Sequence, residues 1–344
     1  MKSTDFKFPL PKNLIAQHPK TPRDECKLMV IDRKTKNIET KKFKNVIDYM
    51  NEGDCLVIND SKVFAALLFG LKEKTNAKIE VFLLRQLSIE ENIWDVLVDP
   101  ARKVRIGNRI FLTKNLFCEV IDNTTSRGRI VRFNYRGDFQ KYIEKLGKTP
   151  LPPYVKREPT EHDKEFYQTV YAQVTGSVAA PTAGLHFTKE LIRKIEKKGI
   201  RIAPVTLHIG LGTFRPVEVE DLTKHRMDSE FFSISDASAS LINETTEARR
   251  KIIAVGTSVA RVLEANTTAG RYIRSGQGWT DKFIYPPQTL KVVDKLITNF
   301  HLPQSTLIML VCAFSDKDLV MKAYKKAIKE KYRFYSYGDA MLVV

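Results

Sequence analysis

The chain has 344 residues, 43% hydrophobic and 28% charged, the proportions of a folded aqueous protein, which excludes a disordered chain and a membrane-embedded one. That length buries a substantial core and predicts roughly two domains. With 57 Lys and Arg against 40 Asp and Glu the net charge is +17, so polyanions, nucleic acid foremost, are the expected partners, although a lysine-rich background composition gives the same charge and a site must decide.

In chain order, Met1 to Pro11 lacks the apolar core of a signal peptide, and the longest apolar run, Leu307 to Phe314, is too short to span a bilayer. A cytoplasmic protein is expected. Cys26, Cys55, Cys118 and Cys312 are scattered, so neither a zinc knuckle nor a disulfide framework is indicated, and reduced structural thiols are expected.

Leu28 to Ile31 and Cys55 to Ile58 read as buried strands, the second ending in Asn59-Asp60, a polar pair suited to leaving a sheet edge. From Lys62 to about Tyr135 the pattern changes to short β-like runs, among them Ile79 to Leu84, Trp94 to Val98 and Val131 to Tyr135, separated by turns such as Gly107-Asn108 and Arg127-Gly128. The spacing predicts a small antiparallel barrel or sandwich inserted into the chain. Arg102, Lys103, Arg105 and Arg109, with Arg127, Arg129, Arg132 and Arg136, would form a basic face on it, for RNA backbone or simply to block edge-to-edge pairing.

Pro150-Leu151-Pro152-Pro153 forbids both helix interior and sheet ladder and marks the return to the main domain. The expected organisation is an α/β main domain of residues 1–61 and 150–344 around an insert of 62–149. Thr188 caps a predicted helix with Leu191, Ile192 and Ile195 on one face and Gly199 as its stop, before a strand over Ile200 to Leu207. Lys251 to Val255 is a further strand, and Gly256-Thr257-Ser258 opens a short helix through Glu264, aiming backbone N–H groups at an anion. Ser315-x-x-Asp318 signals a last helix with Val320, Ala323, Tyr324, Ala327 and Ile328 on its buried face.

Three histidines stand in similar contexts: Gly184-Leu185-His186-Phe187, Thr206-Leu207-His208-Ile209-Gly210 and Asn299-Phe300-His301-Leu302-Pro303. An imidazole held in a pocket can exchange a proton, and a buried one can equally be a hydrogen-bonded core group; three together favour chemistry. Around the first two, Gly176 to Gly184 and Gly210 to Pro216 combine small residues with hydroxyls, which lets backbone approach a ligand or merely forms tight turns. His225-x-x-Asp228-x-Glu230 lacks a second histidine at ligand spacing and reads as a solvated acidic turn rather than a metal site. Asp60, Asp294, Glu264 and Arg261 lie at ends of apolar segments, where an α/β sheet presents its site, with ordinary salt bridges as the alternative.

Taken in order, Leu151 to Tyr154, Tyr167 to Ala172, Gly176 to Phe187, Leu207 to Val217, Ala254 to Thr257, Asp294 to Pro303 and Tyr332 to Met341 resemble one family along essentially the whole chain. It is the S-adenosylmethionine:tRNA ribosyltransferase-isomerase family of queuosine biosynthesis. The resemblance implies an α/β main domain with an inserted β-barrel, S-adenosylmethionine as co-substrate, no metal, and a monomer. The partner it implies is tRNA carrying a 7-aminomethyl-7-deazaguanine in the anticodon. The implied reaction moves the ribosyl part of S-adenosylmethionine onto that aminomethyl arm, leaving epoxyqueuosine and releasing adenine and methionine.

That chemistry needs a base for the acidic carbon beside the sulfonium, a proton or hydrogen bond for departing adenine, and a neutral attacking amine. His186, His208 and His301 are the expected proton carriers, with Asp294 or Asp60 orienting an imidazole or the amine. Thr182, Gly184, Gly210, Gly212 and Thr213 are the expected pocket for the co-substrate, and Phe187, Phe214, Phe300, Tyr167 or Tyr171 would face its cation. Lys156, Arg157 and Arg333 are the expected RNA-backbone contacts.

The chain departs from the family pattern in three places. Arg23-Asp24-Glu25-Cys26-Lys27 replaces Arg-Asp-x-Ser-Arg, Ala65-Ala66-Leu67-Leu68 replaces Pro-Ala-Arg-Leu, and Asp228 stands where a histidine is usual. Those losses motivate a second reading, a noncatalytic RNA-binding relative, against which the intact Gly176 to Pro216 segment argues. A methyltransferase is disfavoured because no strand is followed by a G-x-G loop with a suitable acidic residue downstream.

Overall fold

The computed structural model describes residues 1–124, 128–214 and 216–344, with positions 213 and 214 described by backbone alone. Arg127 therefore lies outside the described residues. The strands are β1 (Lys27–Ile31), β2 (Ile38–Lys42), β3 (Cys55–Asn59), β4 (Ser61–Val63), β5 (Leu67–Lys72), β6 (Lys78–Ser88), β7 (Ile93–Asp99), β8 (Arg109–Thr113), β9 (Leu116–Asn123) and β10 (Arg129–Tyr135). They continue as β11 (Val174–Ser177), β12 (Arg201–Leu207), β13 (Glu230–Ile234), β14 (Ile252–Val255), β15 (Gly276–Thr280), β16 (Lys295–Asn299) and β17 (Ala340–Val343). The helices are α1 (Phe139–Leu146), α2 (Asp163–Phe166), α3 (Lys189–Lys197), α4 (Asp236–Glu247), α5 (Thr257–Ala265), α6 (Thr306–Phe314) and α7 (Lys317–Lys329).

Nine strands form one mixed sheet in the order β15-β13-β12-β3-β14-β16-β17-β1-β2. Its central strands β12, β3, β14 and β16 run parallel, and the two innermost, β3 and β14, are almost wholly apolar, as strands covered on both faces must be. One face carries Val57, Val205 and Ala254 against α4 to α7; the other carries Leu56, Ile58 and Ile253 against α3. Asn59 and Asp60 thus leave a central strand, not an edge: Asn59 is fully buried, its Oδ1 accepting from the Leu207 amide at 3.1 Å and its Nδ2 donating to the Leu207 carbonyl at 3.0 Å.

The strands β10-β7-β6-β5-β8-β9 close into an antiparallel barrel, all six falling within residues 62–149. Alternation fills it: Val81, Leu83, Val96, Val98, Val131 and Phe133 point inward. Closure removes sheet edges, so its exposed cations, Arg102, Lys103, Arg105, Arg109, Arg132 and Arg136, are not needed to block pairing. Arg129 differs from them. Its guanidinium donates to the carbonyls of Val104 at 3.1 Å, Ala101 at 3.1 Å and Gly128 at 2.8 Å, so it clamps the β7–β8 connection.

Thr188 caps α3 by accepting from the Leu191 amide at 3.1 Å, and Gly199 ends it at φ +80°. The expected cap of α7 shifts by one residue: Asp316 accepts from the Leu319 amide at 2.9 Å, while Ser315 ends α6. The Leu307 to Phe314 run is the buried helix α6, and among the described residues no helix is long and apolar enough to cross a membrane.

Candidate functional site

A cleft opens at the carboxyl ends of β3, β12, β14 and β16, the place where parallel sheets present ligands. It holds about 730 Å³ of empty space, its open mouth included. Segments distant in sequence build its walls: the turn Ala180 to Ala183, the β12 exit at Leu207 and Ile209, Gly256 to Ser258 and Arg261 of α5, Thr298 to Leu302, and Tyr335-Ser336. Tyr154 closes it from the proline-rich segment, its hydroxyl 2.5 Å from Ser336 Oγ.

Asn299, at the end of β16, ties these walls together. Its Oδ1 accepts from the Thr182 hydroxyl at 3.2 Å, and its Nδ2 donates to the Tyr335 carbonyl at 3.0 Å and to His186 Nε2 at 3.2 Å. Because His186 Nε2 accepts, its proton resides on Nδ1, 3.2 Å from Cys26 Sγ. His186 therefore stands behind the cleft and braces Asn299, and through it Thr182. Among the expected histidines, His301 is the one that lines the cleft, with Nε2 2.8 Å from Thr298 Oγ1 and its amide donating to the Tyr324 hydroxyl at 2.9 Å.

Burial pushes both His186 and His301 down to about 3; for His186 the Arg333 and Arg23 charges add to burial. Both rings stay neutral in the fold down to about that pH, whereas in the unfolded chain they take up protons below about 6.5. Their stability contribution is complete above pH 6.5 and is lost as pH falls from there toward 3. Each ring costs about 1 kcal/mol over the first pH unit below 6.5 and about 1.4 kcal/mol per unit after it, so lowering pH from 6.5 to 5.5 is expected to remove about 2 kcal/mol. Urea unfolding at the two pH values measures it; equal midpoints would contradict two buried neutral rings.

Glu230 corrects the expectation of a solvated acidic turn. It begins β13, is 5% exposed, accepts from the Gly210 amide at 2.8 Å and pairs with Arg261 Nη1. Its cue was the strand alternation of Glu230-Phe231-Phe232-Ser233-Ile234, which turns Glu230 to the same face as Phe232 and Ile234. Tyr154, Ser305, Tyr335 and Ser336 also line the cleft and had no chemical signal of their own.

Several expected site residues sit elsewhere. Asp294 precedes β16, a strand length or about 16 Å from the cleft end. There its carboxylate accepts from the Ile252 amide at 2.9 Å and pairs with Arg271 at 3.1 Å. Asp60 and His208 share the sheet face opposite the cleft: Asp60 Oδ1 accepts from Thr206 Oγ1 at 2.7 Å, and strand alternation puts His208 with Thr206 and away from Leu207 and Ile209. Burial raises the Asp60 carboxyl and lowers the His208 imidazole, which stacks on Phe231 at 5.6 Å.

Phe187 is fully buried in the core against Phe43, ring centroids 4.9 Å apart, and so offers no face to a cation. Tyr167 is likewise fully buried, and Phe300 lines the cleft. The glycines serve the protein's own packing. A side chain on Gly184 would strike the Tyr171 hydroxyl and Thr169, one on Gly212 would strike the Asp228 carboxylate, and Gly210 spends its amide on Glu230. Of Thr182, Gly184, Gly210 and Gly212, only Thr182 lines the cleft; the side chains of Thr213 and Phe214 lie outside the described residues.

Lys156 is exposed. Arg157 is a structural partner, both its Nη atoms 2.7 Å from the buried Asp163 carboxylate. Arg333 is half-buried, donating to the His18 carbonyl at 3.3 Å and facing Asp339 at 3.6 Å. Among the described residues no group of three or more His, Cys, Asp or Glu is placed to hold a metal ion.

Comparison with known proteins places this arrangement. The family model described as queuosine biosynthesis protein matches residues 3–343. An S-adenosylmethionine:tRNA ribosyltransferase-isomerase of Chloroherpeton thalassium is 55% identical over 345 residues, covering 100% of both chains. One of the same name from Cytophaga hutchinsonii is 54% identical over 348 residues with the same coverage. The crystal structure of an S-adenosylmethionine tRNA ribosyltransferase from Thermotoga maritima is 37% identical with a TM-score of 0.56, covering 99% of this chain and 100% of that one.

Proposed function

The chain belongs to the queuosine biosynthesis protein family and is an enzyme of the ribosyltransferase-isomerase kind, and from that membership we propose its substrates and products. The enzyme takes S-adenosylmethionine and a tRNA bearing 7-aminomethyl-7-deazaguanine, transfers and isomerises the ribosyl moiety onto the aminomethyl arm, and releases adenine and methionine, leaving epoxyqueuosine in the tRNA. The observation that carries this reading is the convergence of Ala180–Ala183, Leu207 and Ile209, Gly256 and Thr257, Thr298–Leu302, and Tyr335 and Ser336, each from one of the family-like segments, on one cleft.

The cleft suits a sulfonium substrate. His301 presents a neutral ring, the form burial favours, and when it takes a proton the substrate's sulfonium becomes a net-neutral ylide, so the imidazolium formed does not meet an uncompensated cation. The neutral ring accepts the proton of the acidified carbon next to sulfur, with the Thr298 hydroxyl holding it in place. Thr182, fixed by Asn299, and the Tyr154–Ser336 hydroxyl pair supply hydrogen bonds for ribose or adenine. The exposed cations of the barrel and Lys156 supply charge for the tRNA backbone.

Incubation with S-adenosylmethionine and tRNA carrying the aminomethyl base tests the reading by adenine release and nucleoside mass. Adenine together with a ribosyl-sized mass gain is expected. Binding of both substrates without adenine release would overturn it in favour of a noncatalytic RNA-binding relative, and a methylated nucleoside in favour of a methyltransferase.

A further inference from the structure

His208, Phe231 and Trp279 form a row of rings on the sheet face opposite the cleft, and its outer end is open. The β12–β13 ladder, which pairs Thr206 with Ser233 and Leu207 with Phe232, carries on to His208 beside Phe231, whose carbonyl accepts from the His208 amide at 2.9 Å. The two rings stack at 5.6 Å, and Phe231 meets Trp279, its partner on the edge strand β15, at 5.7 Å with the planes crossed at 70°. Residues opposite one another on paired strands share a face, which is how rings so distant in sequence meet. The inner end of the row is closed, since a side chain on Gly176 would strike the His208 ring.

At the outer end, Trp279 is 53% exposed. The guanidinium of Arg85, an exposed residue of barrel strand β6, lies over it, 5.1 Å from the ring centroid. Packing accounts for His208 and Phe231, which are half-buried, but leaves much of the indole in water. Asp95 stands opposite Arg85 in the β6–β7 ladder; burial raises its carboxyl and the Arg85 charge pulls it back down. With its charge partly spent on Asp95, Arg85 offers a flat surface more than a bare cation. Arg132 supplies exposed charge on the same barrel wall, paired with Ile93, which shares the outward face of β7 with Asp95.

Position gives the pair its role. Glu230, which lines the cleft, pairs with Thr280, and Trp279 is the next residue along β15, so the indole stands at the rim, turned to the other face of the sheet. A base whose arm reacts in the cleft must leave the stack of its neighbours, and a neighbour so exposed gains by stacking on an aromatic ring or a guanidinium plane. Trp279 and Arg85 offer both, one from the sheet and one from the barrel, in a chain of net charge +17.

Resting on the tRNA reading above, we propose that Trp279 and Arg85 form a stacking platform for an unpaired nucleotide next to the modified base. The RNA is then gripped across the rim, with the reacting base on the cleft side and its neighbour on the platform.

Fluorescence titration of the full chain with an anticodon stem-loop RNA carrying the aminomethyl base tests this. The chain has 2 tryptophans, and Trp94 is 8% exposed in the barrel, so an emission change on RNA binding reports Trp279. The RNA is expected to quench the wild-type emission, and Trp279→Phe is expected to lose that quench. Trp279→Ala is expected to bind the RNA about tenfold more weakly, with an unchanged salt slope because no phosphate contact is removed. Two further RNAs, each lacking the base on one side of the modified nucleotide, locate the contact: with one of them the cost of Trp279→Ala is expected to shrink to about twofold or less. An equal cost on the intact and both abasic RNAs, or binding by the wild-type chain with no quench, would overturn the proposal and leave Trp279 and Arg85 as a tie between sheet and barrel. Absence of RNA binding by the wild-type chain would overturn the tRNA reading itself.

Discussion

Replacing His301 with glutamine is expected to slow adenine release about a hundred- to a thousandfold while leaving the affinity for S-adenosylmethionine nearly unchanged. The imidazole lines the cleft, is 7% exposed, and is fixed on one side by the Thr298 hydroxyl and at its backbone by Tyr324. A glutamine amide can keep the bond to Thr298 and fill a similar volume, so the loss would report proton transfer rather than packing. The pH profile separates the two further. A ring pushed down to about 3 is neutral across the working range, so His301 itself contributes no rising limb near pH 6.5 in the wild-type rate. Thr298→Val, which frees the ring without removing it, is expected to lose about tenfold. If His301→Gln lowers substrate affinity and the melting temperature along with the rate, His301 is a structural group and the base must be sought elsewhere.

The parts of this fold that could be read from sequence were those fixed by local chemistry. Apolar runs gave β1, β3 and β14, alternation and turns gave the barrel strands, and Thr188 with Gly199 bounded α3, because each signal acts within a few residues. The cleft was legible as a set of segments but not as a set of side chains. Which face a residue takes depends on strand registers set by partners far away in sequence. His208 and Leu207 are neighbours, yet only the leucine reaches the cleft, since pairing of β12 with β3 fixes the rotation of the strand.

The same limit explains Glu230 and Asp294. Both are acidic residues at the start of a strand, but β13 runs antiparallel to β12, so its first residue lies at the cleft, while β16 runs parallel to its neighbour β14, so the residue before it lies at the far end. Strand direction is a property of the assembled sheet and leaves no mark at the residue itself. Phe187 shows a further limit: an aromatic ring beside a histidine looks the same in sequence whether it faces a ligand or fills a core, and here it fills one.

Arg157→Met is expected to destabilise the chain by about 3–5 kcal/mol without altering the salt dependence of tRNA binding by the folded protein. Asp163, 2% exposed, accepts from both Arg157 Nη atoms at 2.7 Å, from the Thr160 amide at 2.7 Å and hydroxyl at 2.9 Å, and from the Tyr337 hydroxyl at 3.0 Å. Burial alone would raise its pKa, yet Arg157 and Thr160 hold it well below the ordinary carboxylate range, so removing the guanidinium leaves a buried charge with neutral donors only. Arg157→Lys keeps the charge but not the two-pronged geometry and should recover part of the loss. Urea unfolding measures the first effect, and tRNA titration across salt concentrations measures the second. A phosphate contact would give the reverse pattern, a salt slope reduced by about one with stability nearly intact. That outcome would return Arg157 to the RNA interface and leave Asp163 to be balanced by its hydroxyl and amide donors.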